Sequence, residues 1–205
     1  MKTYTKIIAA VAAGIACTAL TSNASISPGT FGVNISSSSE AAPSAGTQVG
    51  SSLVSPYSNS EDTGTFTSAV YKGNSFGAND LSFVYTVVAT VGDVGSITVN
   101  GFSGLVNALN VTGTPDMAST VSYNTSGFLK FTWNTPTTAG QTVQVIVDTS
   151  LTYFGGSVGS VQDGQTSNVP TLAPVPEPTT VVAGALMLLP FGIGALRSLR
   201  KDRIA

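Results

Sequence analysis

Between residues 63 and 164, apolar and polar positions alternate in short runs divided by Gly, Asn, Ser and Asp. Alternation with period two places every second side chain on one face of a strand. Thr65 to Tyr71 and Leu81 to Thr90 are the first two such runs. In the second, Leu81, Phe83, Tyr85 and Val87 share a face while Val84 and Val88 occupy the other, the pattern of a central strand covered on both sides. Ile97 and Val99 alternate before a turn at Asn100-Gly101. Ala118 to Tyr123 leads through Asn124-Thr125-Ser126-Gly127 into Phe128 to Trp133, where Leu129, Phe131 and Trp133 share a face. Gln141 to Asp148 groups Val143, Val145 and Val147, and Ser157 to Gln162 closes the set. Short strands with regularly spaced turn signals and no helical period predict an all-β fold, an antiparallel β-sandwich over residues 63–164.

The flanks read differently. In residues 25–62, Phe31, Val33 and Ile35 alternate as one strand, and the Ser, Ala, Pro and Gly residues that follow read as a loop. Residues 165–178 carry four prolines, Pro170, Pro174, Pro176 and Pro178, and read as an extended stalk holding the sandwich off a membrane.

Both ends of the chain are apolar. Lys2 and Lys6 precede an uncharged run from Ile7 to Leu20, and small residues stand at Ser22 and Ala24. That order predicts a signal peptide helix over residues 1–24, cut between Ala24 and Ser25 by signal peptidase after export through the Sec translocon. Lipoprotein processing at Cys17 is the rival cut, and Gly14-Ile15-Ala16 lacks the Leu it favours. At the other end, Pro176-Glu177-Pro178 precedes an apolar run from Val181 to Leu196, then Arg197, Arg200, Lys201 and Arg203. Sixteen residues in a helix reach about 24 Å against a hydrocarbon core of ~30 Å, so a single transmembrane helix needs flanking residues, over 180–199. The basic cluster predicts a cytoplasmic C-terminus, with the sandwich outside.

Composition narrows the chemistry. Of 205 residues only 9% are charged, none is His, and Cys17 is the one cysteine. Imidazole acid–base catalysis and His- or Cys-ligated metal sites are excluded, and so is any disulfide in the exported part. Between residues 25 and 175, two lysines (Lys72, Lys130) stand against eight carboxylates (Glu40, Glu61, Asp62, Asp80, Asp93, Asp116, Asp148, Asp163), a net charge of −6. With no arginine there to fork a phosphate, nucleic acid is excluded as a partner.

The carboxylates sit beside Gly, Asn or Ser, where Asp makes turns. The alternatives are calcium ligation and paired-carboxylate hydrolysis. No Asp-x-Asp-x-Asp spacing and no nucleophile elbow occurs, so no cofactor, metal or catalytic residue is expected. Tyr57, Tyr71, Tyr85, Tyr123, Tyr153 and Trp133 read mainly as core, with a sugar-binding platform as the alternative. Thr63, Thr65 and Thr67 form one short threonine row, which β propensity explains; an ice-binding adhesin would need many stacked rows. The Asn-x-Ser/Thr sequons at Asn34, Asn110 and Asn124 read as chance matches.

Val-Pro-Glu-Pro, a short apolar segment and an Arg-rich end together resemble the PEP-CTERM tail of exopolysaccharide-making Gram-negative bacteria. The match covers residues 176–205. It implies sorting by exosortase, a membrane enzyme like the cysteine peptidases. Pro176, Glu177 and Pro178 would be the recognised motif, and Arg197, Arg200, Lys201 and Arg203 the basic stop. The whole strand-rich stretch, especially Tyr153 to Gly164, is also similar to ectodomains that precede such tails and have no agreed activity. The expectation is an exported, non-catalytic surface or matrix protein, anchored in the inner membrane before reaching the cell surface or medium. A secreted module that binds carbohydrate or exopolysaccharide is the alternative, and a two-carboxylate hydrolase or an ice-binding adhesin ranks below it.

Overall fold

The computed structural model describes residues 24–34, 37–38, 46–111 and 119–175. The predicted signal peptide up to Asn23 and the tail from Pro176 onward lie outside the described residues. All regular structure among the described residues is β. The strands are β1 (Ala24–Ile26), β2 (Thr30–Asn34), β3 (Ser37–Ser38), β4 (Thr47–Gln48), β5 (Leu53–Ser58), β6 (Thr63–Lys72) and β7 (Leu81–Val91). They continue as β8 (Val94–Val99), β9 (Val106–Val111), β10 (Ser119–Tyr123), β11 (Leu129–Thr137), β12 (Thr142–Thr149), β13 (Phe154–Asp163) and β14 (Gln165–Pro174).

Two sheets enclose one core. The first runs β1-β9-β12-β7-β6-β4, with β3 also on β9 and β5 also on β6. The second runs β14-β13-β8-β11-β10-β2. Their pairings are antiparallel except β3 with β9, which is parallel.

β7 is central, paired over its length to β6 and β12. Leu81, Phe83, Tyr85 and Val87 are buried inward; Val84 is buried on the opposite face with Ile146. Leu129, Phe131 and Trp133 of β11 meet Val143, Val145 and Val147 of β12 in the same core. At its centre Phe66 lies 5.8 Å from Tyr85, and Phe102 stands edge-on to Phe83 at 5.6 Å. Such aromatic pairs add about 0.5–1.5 kcal/mol each beyond the area they bury.

The stalk expected over residues 165–178 is corrected. Residues 165–174 are strand β14, paired with all ten residues of β13. Sequence periodicity missed it because its inward residues are small or polar: Ser167, Val169, Thr171 and Ala173, all buried. Its prolines read as breakers, yet Pro suits an edge strand whose N–H would leave the ladder. Leu172 shows which way that parity faces. Its N–H donates to Ser68 Oγ at 3.0 Å and its carbonyl accepts from Tyr85 Oη at 2.8 Å, both away from β13. Pro170 and Pro174 share that parity, so their missing N–H groups cost the β13 ladder nothing. Ser55 Oγ, donating to the Pro170 carbonyl at 3.0 Å, completes a row of hydroxyls that covers this edge.

The single strand and loop expected for residues 25–62 are also revised, since β2 to β5 lie within that stretch and β1 enters it from Ala24, one residue earlier. β1 enters the core directly: Ile26 is 2% exposed and pairs with Val106.

The register gives the sandwich two distinct ends. At one, Phe154 pairs with Pro174 and the chain leaves through Val175, whose N–H donates to the Tyr153 carbonyl at 3.1 Å. At the other, Asp163 pairs with Gln165 around Gly164, whose φ of 68° suits glycine.

Candidate functional site

Antiparallel connectivity decides which turns share an end. β5–β6, β7–β8 and β13–β14 all turn at the end away from Val175. They bring together Glu61, Asp62, Asp93 and Asp163, residues up to 102 positions apart in sequence, with neither described-region lysine, Lys72 or Lys130, on these turns.

Each of these turns has a local cause. Asn59 Oδ1 accepts the N–H groups of Glu61 and Asp62 at 2.8 and 2.7 Å, an Asx turn. Asp62 is 3% exposed and satisfied: Asn59 Nδ2 donates to one carboxylate oxygen and the Asp93 N–H to the other, each at 3.1 Å. Gly92 lies directly over that carboxylate with φ 73°, where a Cβ would collide with Asp62 Oδ1. Asp163 bears the electrostatic consequence. Its pKa is raised, first by burial and then by the charges of Asp62, Asp93 and Glu61.

This end is an acidic pole. Among the described residues no group of three or more His, Cys, Asp or Glu side chains is placed to hold a metal ion.

Asp148 and Asp80 lie at the opposite end. Asp148 is 6% exposed and accepts from Ser82 Oγ at 2.7 Å and Ser75 Oγ at 3.0 Å. Asn107 Nδ2 donates to Ser75 in turn, at 3.1 Å. Asn74 Nδ2 donates to the carbonyls of Leu81 and Thr149, both at 2.9 Å, so the 73–80 loop is pinned to the end of the first sheet. The loop borders an open concavity of about 510 Å³ lined by Thr47, Lys72, Asn74, Ser75 and Phe76 among others. The sequence pattern did not single out Ser75, Ser82, Asn74 or Asn107, because isolated small polar residues in turns carry no periodic signal.

The aromatic residues weighed as a sugar platform are mostly interior. Tyr57, Tyr85, Tyr123 and Trp133 are at most 3% exposed; Tyr71 is half-buried and Tyr153 is 48% exposed. Burial raises the pKa of Tyr57, Tyr85 and Tyr123, in Tyr57 to about 12 with the Asp62 charge adding to it. Tyr57 Oη, Tyr123 Oη, Trp133 Nε1 and Ser167 Oγ are buried without a hydrogen-bond partner.

The threonine row is longer in space than in sequence. Thr67 pairs with Thr86, and Thr65 with Val88, which pairs with Thr142. These residues line the outer face of the first sheet.

Of the processing residues, Ala24 and Ser25 open β1, opposite Ala108 and Asn107. Pro176, Glu177, Pro178, Arg197, Arg200, Lys201 and Arg203 lie outside the described residues. Among the described residues no helix is long and apolar enough to cross a membrane. Compared with protein-family models, curated proteins and solved structures, the chain matches none.

Proposed function

We propose that the chain is an exported, non-catalytic cell-surface or matrix protein, delivered by its signal peptide and sorted through its C-terminal tail. What supports this reading most is the order of the processing signals in the sequence on either side of the sandwich strands. Strand β1 contains Ala24 and Ser25, on either side of the expected signal peptidase cut, and strand β14 ends at Pro174, two residues before Pro176 of Pro176-Glu177-Pro178. An exosortase-like enzyme would act on Pro176, Glu177 and Pro178 at the outer surface of the inner membrane. Arg197, Arg200, Lys201 and Arg203 would hold the end of the tail in the cytoplasm.

Intact mass of the protein recovered from membrane and medium of its native host tests this. The expected medium species begins at Ser25 and lacks about 30 residues at its C-terminus, as the tail length implies. A lipid-modified Cys17, or a full-length C-terminus in every fraction, would overturn it.

A further inference from the structure

We propose that the end of the sandwich at which the chain exits rests on the bilayer holding its tail, with exposed side chains of three loops seated in the membrane interface. The proposal rests on the reading of residues 176–205 as a membrane-inserted tail.

Reach comes first. Residue 175 is held to the fold, and the apolar run begins at Val181. Five residues lie between, and fully extended they span at most about 18 Å. With β14 inside the sandwich, that short segment is the whole spacer. An inserted tail therefore keeps the exit end within a few ångströms to about 18 Å of the lipid.

The surface at that end suits the position. Leu105, Phe128 and Tyr153 lie on its loops and are 46%, 39% and 48% exposed. Phe31, at the start of β2 on the same end, is 70% exposed. Amphipathic Tyr and large apolar side chains are the residues that favour the headgroup boundary. The loops that carry Leu105 and Phe128 are tied together by the Phe102 N–H donating to the Gly127 carbonyl at 3.2 Å, and the loop that carries Tyr153 is tied to the start of β7 by the Leu81 N–H donating to the Leu151 carbonyl at 2.9 Å. They form a preassembled surface rather than separate arms.

Charge is segregated to match. Glu61, Asp62, Asp93 and Asp163 occupy the far end, while the exit end has Lys72, Asp80 and the hydrogen-bonded Asp148. The ten residues of β13 separate the two ends by roughly 30 Å, nearly four Debye lengths of ~8 Å at physiological salt. The acidic pole is thereby placed where anionic headgroups do not repel it.

The test uses the full chain, with its tail retained, in phosphatidylcholine–phosphatidylglycerol vesicles whose acyl chains are brominated. Tyr153→Trp and Leu105→Trp place a fluorophore at the exit end, and Val91→Trp, at an exposed site near the acidic pole, is the control. Trp133, buried in the core, gives every variant the same background. Emission from positions 153 and 105 is expected to shift to the blue and be lost to bromine, while that from position 91 is unchanged. Circular dichroism of each variant confirms the fold. Vesicle-bound chain with no quenching at 153 or 105, or with equal quenching at 91, overturns the docking and leaves the tail reading intact. Chain that fails to float with the vesicles overturns both.

Discussion

The hydroxyl of Tyr85, in the middle of the central strand β7, donates at 2.8 Å to the carbonyl of Leu172 on edge strand β14. This bond joins the two sheets through the core. Burial pushes the phenol pKa well above its usual value, so the group stays protonated and keeps donating.

Tyr85→Phe leaves the ring packing in place and removes one of two donors to the Leu172 carbonyl, which keeps Thr171 Oγ1 at 3.0 Å. The expected loss is about 0.5–1.5 kcal/mol in urea unfolding. Hydrogen exchange is expected to speed at β14 more than at β11. Equal stability, with unchanged exchange at β14, would show that the bond does not hold this edge.

Truncation separates a structural β14 from a stalk. A chain of residues 25–175 is expected to fold with a sharp unfolding transition, and one ending at residue 164 to lose it. Removing β14 strips Val169, Thr171 and Ala173 from the interior and leaves β13 as a bare edge. Amide proton NMR spectra of the two chains decide the matter; matching dispersion in the shorter chain would contradict the assignment.

Tyr57 has the opposite expectation from Tyr85, because its buried hydroxyl has no partner. Tyr57→Phe removes an unsatisfied polar group and is expected to be neutral or stabilising by about 1 kcal/mol. The folded-state pKa of Tyr57 is pushed up to about 12 from 10.0. Its contribution is therefore fully present below pH 10 and lost as pH rises toward 12. The stability difference between variant and wild type should widen across that window, measured by denaturant melts at a series of alkaline pH values.

Asp163 bears on the acidic pole. Its folded-state pKa is raised above the usual 3.8, so its charge opposes folding at neutral pH. That penalty is relieved as pH falls through the raised value and is gone below the unfolded one. Asp163→Asn is expected to be more stable than wild type at pH 7 and at low salt, with the gap closing toward pH 4 or on adding salt. A gap independent of both pH and salt would assign the effect to packing instead.

What the residue pattern could reveal follows from what each strand buries. β7 and β12 were legible because large apolar residues alternate in them and meet one continuous core. β5 was not, since its pattern runs inverted: Val54 is 59% exposed while Ser55 is 4% exposed, held inside by its bond to Pro170. Apolar periodicity cannot register a buried serine whose burial depends on a carbonyl 115 residues away. β9 was hidden by asparagines and small residues at Asn107, Ala108 and Asn110. The acidic turns were individually readable as turns. Their convergence was not, because only strand order brings Glu61, Asp93 and Asp163 to one end.

The tail decides the central claim, that residues 176–178 are read by a sorting enzyme rather than merely preceding an anchor. On that reading Pro176 and Pro178 would keep the segment out of helix, and Glu177 would stay hydrated just outside the lipid. An anchor needs only apolar length and a basic stop, so it tolerates alanine at all three positions. The decisive measurement is the mass and location of wild type and of the P176A/E177A/P178A variant in a host with its sorting enzyme intact. Wild type is expected to lose about 30 residues, the length of the tail, and to leave the inner membrane, while the variant accumulates there at full length. The same mass and location for both would contradict sorting and leave residues 176–205 as a plain anchor.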